Sequence, residues 1–459
     1  MPHPSTVSEP ISHRRDLLAL FEDSEKPAPQ WKIGVESEKF GVHAESGRAL
    51  AYEGEFGVLR ILNWLQAERG YVAENEVHDG PTIAVRKGGI SITLEPGAQF
   101  ELSAPAVQEI SQAYAMLVDH LTEVAPITHA MNLKWLCVGF HPFAAQSELP
   151  WVPKQRYAIM REYLPKQGTG AHDMMRRTGT VQGNFDYSDP ADAMRKLVLS
   201  LRIGPLVNAW VANSPYVEGK ANGLLSNRGD VWLHMEPARS GLLERLWNAR
   251  DLGYDDYVGW ALDAPMFLIK REGRIIDNSG QPFRDFLEHG FKGERATRLD
   301  WTTHVNSLFP EARLKTTLEL RSVDSVEPRL ATAVVALFTG LLYDATALTD
   351  AEALLRPIGP QQAQASRLGL VTRGLEAAYG EHVGFDLARE LLPIARAGLE
   401  RRSQLLRIED ERHWLEPLAE FVEARTSPAA QLLERFGAVP DPARLVAHLG
   451  LPAETAASR

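Results

Sequence analysis

The chain has 459 residues and a formal net charge of -11 with no long block of one sign, so it lacks the basic surface that general nucleic-acid binding depends on. Its 44% hydrophobic content is enough for one large core or two tightly joined ones. The N-terminus shows no basic region followed by an apolar stretch, the richest apolar run (331–342) is too short for a membrane helix, and the single cysteine, Cys137, excludes an internal disulfide framework or an all-cysteine metal site.

These features set the expectation of a soluble cytoplasmic protein with no nucleic-acid or membrane partner, a monomer or weak homodimer. In chain order, residues 1–30 read as a short helix over 12–21 followed by a Pro-rich connector at 26–30. Residues 31–345 alternate between strand-like and helix-like stretches and predict an α+β core. Residues 346–459 carry Ala, Leu and charges at helical spacing and predict a helical portion packed on that core.

The first strand, 32–38, places Glu36 and Glu38 on one face, roughly 7 Å apart along the strand. The strand 90–94 leads into Glu95, and the Pro96-Gly97 turn signal re-aims the chain toward Gln99 and Glu101, which share a face. The stretch 133–139 reads as a strand that buries Cys137. In 180–187, Thr180, Gln182, Asn184 and Asp186 line one face and Val181, Phe185 and Tyr187 the other. Asp189-Pro190 is an N-cap and N1 pair that opens a helix running toward Ala212, kinked or broken at Gly204-Pro205. Residues 313–321 read as one strand with Arg313, Lys315, Thr317, Glu319 and Arg321 on a single face, and a core helix begins near Glu327-Pro328.

Strands with one polar and one apolar face suit an antiparallel sheet packed on one side. A single polar face of this kind is ordinarily solvated surface. Four of them rich in Glu, Gln, Asn, Asp and Arg favour a concave site. Like charges such as Glu36 and Glu38 repel by about 4 kcal/mol at 4 Å and an effective dielectric of 20. A site that gathers more carboxylates therefore needs protons or cations, and magnesium prefers oxygen ligands. Arg156, Arg176, Arg177, Arg228, Arg313 and Arg321 recur nearby, and bidentate arginine is the usual clamp for carboxylate or phosphate.

No Walker loop, nucleophile elbow, Rossmann fingerprint or His-Glu-x-x-His occurs. His78, His172, His234 and His304 are spread singly and read as structural or surface groups. These residues admit a magnesium-dependent enzyme acting on anions. A two-metal phosphohydrolase or a non-catalytic amino-acid binder remains open on the same pattern.

Several segments together resemble the plant-type glutamate–cysteine ligase family of plants and many proteobacteria. They include Gly34-Val-Glu-Ser-Glu-Lys-Phe-Gly41, Thr93-Leu-Glu-Pro-Gly-Ala-Gln-Phe-Glu101, Lys154-Gln-Arg-Tyr157, Ala212-Asn-Ser-Pro215, Asn222-Gly-Leu-Leu-Ser-Asn-Arg228 and Leu318-Glu-Leu-Arg321. The resemblance implies a glutamine-synthetase-like fold whose curved antiparallel sheet forms a funnel with helices outside. It implies ATP-dependent joining of glutamate and cysteine through a γ-glutamyl phosphate, the first step of glutathione biosynthesis, with Mg2+ bound. It also implies Glu36, Glu38, Glu95, Glu101, Gln182 and Glu319 as metal ligands. Arg228, Asn184 and Arg177 are implied for substrate, and Arg321 and Arg156 for phosphate or the transferred phosphoryl. A ligase of the same fold using another amine acceptor is the nearest alternative.

Overall fold

The computed structural model describes residues 9–76, 80–247, 251–271 and 274–451; His78 lies outside them. A nine-stranded antiparallel sheet positions the polar faces singled out above. Its strands are β1 (Ile33–His43), β2 (Val72–Asn75), β3 (Thr82–Lys87), β4 (Ile90–Leu94), β5 (Phe100–Ser103), β6 (Leu133–Leu136), β7 (Val181–Phe185), β8 (Ala312–Leu314) and β9 (Leu318–Leu320). The hydrogen-bonded order is β8-β9-β7-β1-β5-β4-β3-β2, and β6 pairs with the distal half of β1.

The helices that matter most are α1 (Arg14–Glu22), α2 (Ile110–Ala130), α3 (Gln155–Tyr163), α4 (Ala171–Arg177), α5 (Pro190–Trp210), α6 (Asn227–Leu233), α7 (Pro328–Leu342), α8 (Ala345–Leu355), α9 (Pro360–Arg373) and α10 (Gly384–Leu406). Ile33, Val35, Val181, Phe185, Leu318 and Leu320 form the apolar side of the central strands. They pack on α2, α5 and α7 in one core cluster. That cluster continues into α8 and α10, so the helices after residue 345 complete the same core. A short hairpin, Ala378–Tyr379 with His382–Val383, interrupts them.

Asp189 caps α5 by accepting from the Asp192 N–H, and Glu327 caps α7 by accepting from those of Arg329 and Leu330. Both caps fall where expected. Of the kink or break expected at Gly204-Pro205, the break does not occur: α5 runs through both residues to Trp210. Gly204 is instead a point of close approach, because a Cβ there would lie 2.3 Å from the Ser322 hydroxyl.

The segment read as one strand over 313–321 is a hairpin. Its strands β8 and β9 pair Arg313 with Glu319, and the Lys315 N–H closes onto the Thr317 carbonyl at 2.9 Å. The turn holds no Gly, Pro, Asn or Asp, so it carries none of the usual turn signals. Asp186 also departs from its predicted face. β7 ends at Phe185, and the Asp186 carboxylate accepts from the Lys26 ammonium (2.6 Å) and the Lys32 N–H (2.8 Å), fastening the connector to β1.

Candidate active site

Register brings the predicted polar side chains into adjoining rows. Glu36 on β1 stands opposite Gln182 on β7 and Ser103 on β5, and Glu38 stands opposite Glu101. Glu101 in turn faces Thr93 on β4. Asn184 stands between Gly34 and Glu319. A Cβ on Gly34 would sit 3.0 Å from that of Asn184. The glycine thus leaves room for the Asn184 amide to donate to Glu36 at 2.9 Å.

One end of this face is acidic. Glu38 and Glu95 are half-buried and Glu101 is buried. The Glu38 carboxyl is held well above the usual carboxylate range by burial first, then by the charges of Glu101 and Glu95, with Arg228 and Arg321 opposing. Glu101 is pushed up to about 8 by burial, then by Glu95 and Glu36. Thr93 donates to Glu101 at 2.5 Å, and the Thr180 N–H donates to Glu38 at 3.1 Å.

The other end is cationic. Glu319, only 1% exposed, takes Lys315 (2.5 Å), Arg313 (2.7 Å) and Arg321 (3.0 Å). Burial raises its proton affinity, but Arg313, Lys315 and Arg321 outweigh that and hold the carboxyl well below the usual range. Arg321 also donates to Gln182 at 3.1 Å.

The remaining predicted residues separate into two groups. Arg156 is exposed at the acidic end, where it stacks on Tyr157 and donates to its hydroxyl at 3.2 Å. Arg228, on α6, is 3% exposed and its guanidinium donates to the main-chain carbonyls of Ser322 (2.7 Å) and Arg321. Arg177 lies away from the sheet rows. It packs on Phe140 and donates to Asp173 and Glu218, both at 3.3 Å, while its Nε and one terminal nitrogen are buried without partners among the described residues.

Other candidates turn out to be structural. Arg176 donates to the Leu149 carbonyl and stacks on Trp151. Gln99 turns from Glu101 to bond the Gly97 N–H and the carbonyls of Met175 and Thr178. His304 is buried against the Ala261 carbonyl, whereas His172 and His234 bond at the periphery.

Lys154 and Tyr157 escaped the sequence reading, and Arg313 and Lys315 were placed on Glu319's face without an assigned role. The Lys154 ammonium is buried, donates to the Leu94 carbonyl (2.6 Å) and the Tyr157 hydroxyl (3.1 Å), and is lowered to about 8 by burial and then by Arg156. Tyr157 reaches the Glu95 carboxylate at 3.3 Å. Lys154 and Tyr157 flank Arg156 in one motif, and Arg313 and Lys315 share Glu319's face; those were the available signals.

The acidic set suits a hard divalent cation: its donors are all carboxylate oxygens, and burial with little positive charge nearby raises Glu38 and Glu101 above the usual carboxylate range. Among the described residues no three His, Cys, Asp or Glu side chains form a ready cage. The cavity behind Arg228, about 20 Å³ and lined by Asn208, Glu311, Ser322 and Arg367 among others, is too small for an amino acid or nucleotide. The sheet face is the candidate site.

The antiparallel sheet carries an acidic and a cationic end side by side, and comparison with known proteins makes the chain a ligase. The chain belongs to the family described as glutamate-cysteine ligase family 2, whose profile matches residues 32–448. Glutamate–cysteine ligase B of Oryza sativa subsp. japonica, a chloroplastic protein, is 36% identical over 433 residues, covering 94% of this chain and 85% of the relative. The chloroplastic glutamate–cysteine ligase of Arabidopsis thaliana is also 36% identical, over 94% of this chain and 81% of its own. In fold, the chain resembles the crystal structure of a Francisella tularensis glutamate–cysteine ligase in complex with AMP. The TM-score is 0.53 at 13% identity, covering 92% of this chain and 87% of that one.

The names of these relatives overturn the expectation of a cytoplasmic location, since they point to the plastid. That expectation rested on the lack of a secretory pattern and of a membrane-length apolar run and on the single cysteine, none of which distinguishes cytoplasm from plastid. Among the described residues, no single helix is long and apolar enough to cross a membrane.

Proposed function

We propose that this chain uses ATP to join the γ-carboxylate of glutamate to the amine of cysteine, giving γ-glutamylcysteine, ADP and phosphate. The observation that supports this best is the sheet face itself, with Glu36, Glu38, Glu95 and Glu101 at one end and Arg313, Lys315 and Arg321 around Glu319 at the other. Two anionic substrates must meet: the cationic end offers one of them an opposite charge directly, and the acidic end would do so only through a bound cation.

Glu36, Glu38, Glu95 and Glu101 would hold magnesium, with Gln182 and Glu319 completing the set from the neighbouring strands. The metal would supply charge neutralisation of the phosphates. Arg321 and Arg156 orient the γ-phosphate. Glu319 is engaged by Arg313, Lys315 and Arg321 in this structure and would join the metal set only if those cations turned to the phosphates. Arg228 holds the α-carboxylate of glutamate and Asn184 contacts substrate, whereas Arg177, engaged with Phe140, Asp173 and Glu218, takes no part at the sheet face. The γ-carboxylate oxygen attacks the terminal phosphorus and ADP leaves; the cysteine amine then attacks the acyl carbon and phosphate leaves. No enzyme nucleophile is required, because positioning and electrostatics carry both steps.

Purified protein with ATP, magnesium, glutamate and cysteine should form ADP and γ-glutamylcysteine together. ADP release that is independent of glutamate, or absence of the dipeptide, overturns the assignment. A panel of other amines in the same assay reports acceptor choice.

A further inference from the structure

In the segments 212–215 and 222–228, which match the family pattern, only Arg228 has a chemical role so far. Both converge on Asp324, which follows β9 and is 0% exposed. Its carboxylate accepts from the Asn213 N–H (2.8 Å), the Ser214 hydroxyl (2.6 Å) and the Ser226 hydroxyl (2.7 Å). Its own N–H donates to the Asn208 side chain on α5 at 3.1 Å. Ser226 also caps α6, accepting from the Gly229 N–H at 2.9 Å. Gly139 packs so closely that a Cβ there would lie 2.2 Å from the Asp324 carboxyl carbon.

This buried carboxylate therefore fixes the first turn of α6, the turn that carries Arg228. The same short segment, 321–324, holds the Arg228 fork through the carbonyls of Arg321 and Ser322. We propose that Asp324 is the positioning residue for Arg228, setting both the place and the charge of the group that receives the α-carboxylate of glutamate. The proposal rests on the reading of Arg228 given above. Electrostatics agree in both directions. Burial raises the Asp324 proton affinity and Arg228 leads the groups that oppose it; burial lowers that of Arg228 and Asp324 leads the groups that restore it.

The test is Asp324→Asn. The asparagine oxygen can still accept from the Asn213 N–H and the Ser214 hydroxyl, and the Ser226 hydroxyl can rotate to accept from its amide, so the contacts are largely kept while the charge is lost. Steady-state kinetics should show the glutamate KM raised about tenfold with the ATP KM little changed. Discrimination between glutamate and 4-aminobutyrate, which lacks the α-carboxylate, should weaken in parallel.

Arg228→Lys serves as the reference. If it does not act selectively on glutamate, the clamp reading fails, and this proposal with it. If it does, while Asp324→Asn shifts glutamate and ATP equally or neither, the positioning role alone is overturned. Should Asp324→Asn not fold, Ser226→Ala decides the matter. A smaller rise confined to glutamate supports the role, and a rise shared with ATP overturns it.

Discussion

Glu319 and Glu36 share a sheet face in opposite electrostatic settings, so the same substitution should affect them differently. Glu319→Gln leaves Arg313, Lys315 and Arg321 crowded around a neutral amide. Loss of charged hydrogen bonds costs about 1.5–3 kcal/mol each, so this variant should lose activity and melt at a clearly lower temperature. Glu36 accepts from Asn184, a neutral donor. Glu36→Gln should therefore keep its melting temperature while turnover falls about a hundredfold, roughly 2.7 kcal/mol of transition-state stabilisation. Thermal denaturation beside steady-state kinetics checks both, and near-normal turnover of Glu36→Gln at saturating magnesium removes it from the metal set. Arg228→Lys cannot keep both carbonyl bonds and face a carboxylate, and should raise the glutamate KM far more than the ATP KM. The buried Cys137 thiol is pushed up to about 11, chiefly by burial, which disfavours the reactive thiolate. Cys137→Ala should stay active, and oxidising buffer should leave the wild type unchanged once the substrate cysteine is kept reduced. A severalfold reversible loss on oxidation that the Ala variant lacks would contradict this.

Among the elements, strand alternation and helix caps were the legible features, and breaks within a segment were not. The alternation in β1 and β7 placed Glu36, Glu38, Gln182 and Asn184 on one face because period two survives any register. The hairpin between β8 and β9 was hidden because its turn uses Lys315, Thr316 and Thr317. A folded hairpin still brings Arg313 to Glu319's side, so the face was right although the topology was not. Asp186 was misplaced for a different reason: its partners, Lys26 and the Lys32 N–H, come from about 150 residues earlier in the chain, beyond any local pattern. Gly204-Pro205 read as a kink or break because tertiary packing is not visible in a dipeptide; α5 tolerates it, and the glycine admits Ser322. Gly204→Ala should therefore push on the turn that holds Arg228. Overpacking typically costs about 1–3 kcal/mol, and the glutamate KM should rise with it. A variant with wild-type stability and wild-type KM would show that Ser322 moves aside freely.

Across the whole molecule, the common core carries buried histidines that no site uses. His120 is buried with neither ring nitrogen partnered among the described residues and lies stacked on Phe100. Burial first, then Lys39, holds it well below its ordinary value. His141 and His304 are each lowered to about 3, chiefly by burial. In the unfolded chain each histidine takes up a proton below about pH 6.5, and in the folded chain it does not, so its contribution to stability falls as pH falls from about 6.5 toward its folded value. The raised carboxyls of Glu38 and Glu101 act in the opposite sense, because the folded protein holds their protons where the unfolded chain has released them. The net melting curve therefore mixes the two trends, and a difference between variants isolates one of them. His120→Leu deletes a single proton-uptake site and fills the position with an apolar side chain that needs no partner. Relative to wild type, its stability should rise as pH drops below about 6.5, by about 2 kcal/mol at pH 5, and level off above pH 7. Denaturant unfolding of both proteins at pH 5 and pH 8 measures this, and an equal difference at the two values would mean that His120 is already protonated in the folded protein or is paired there.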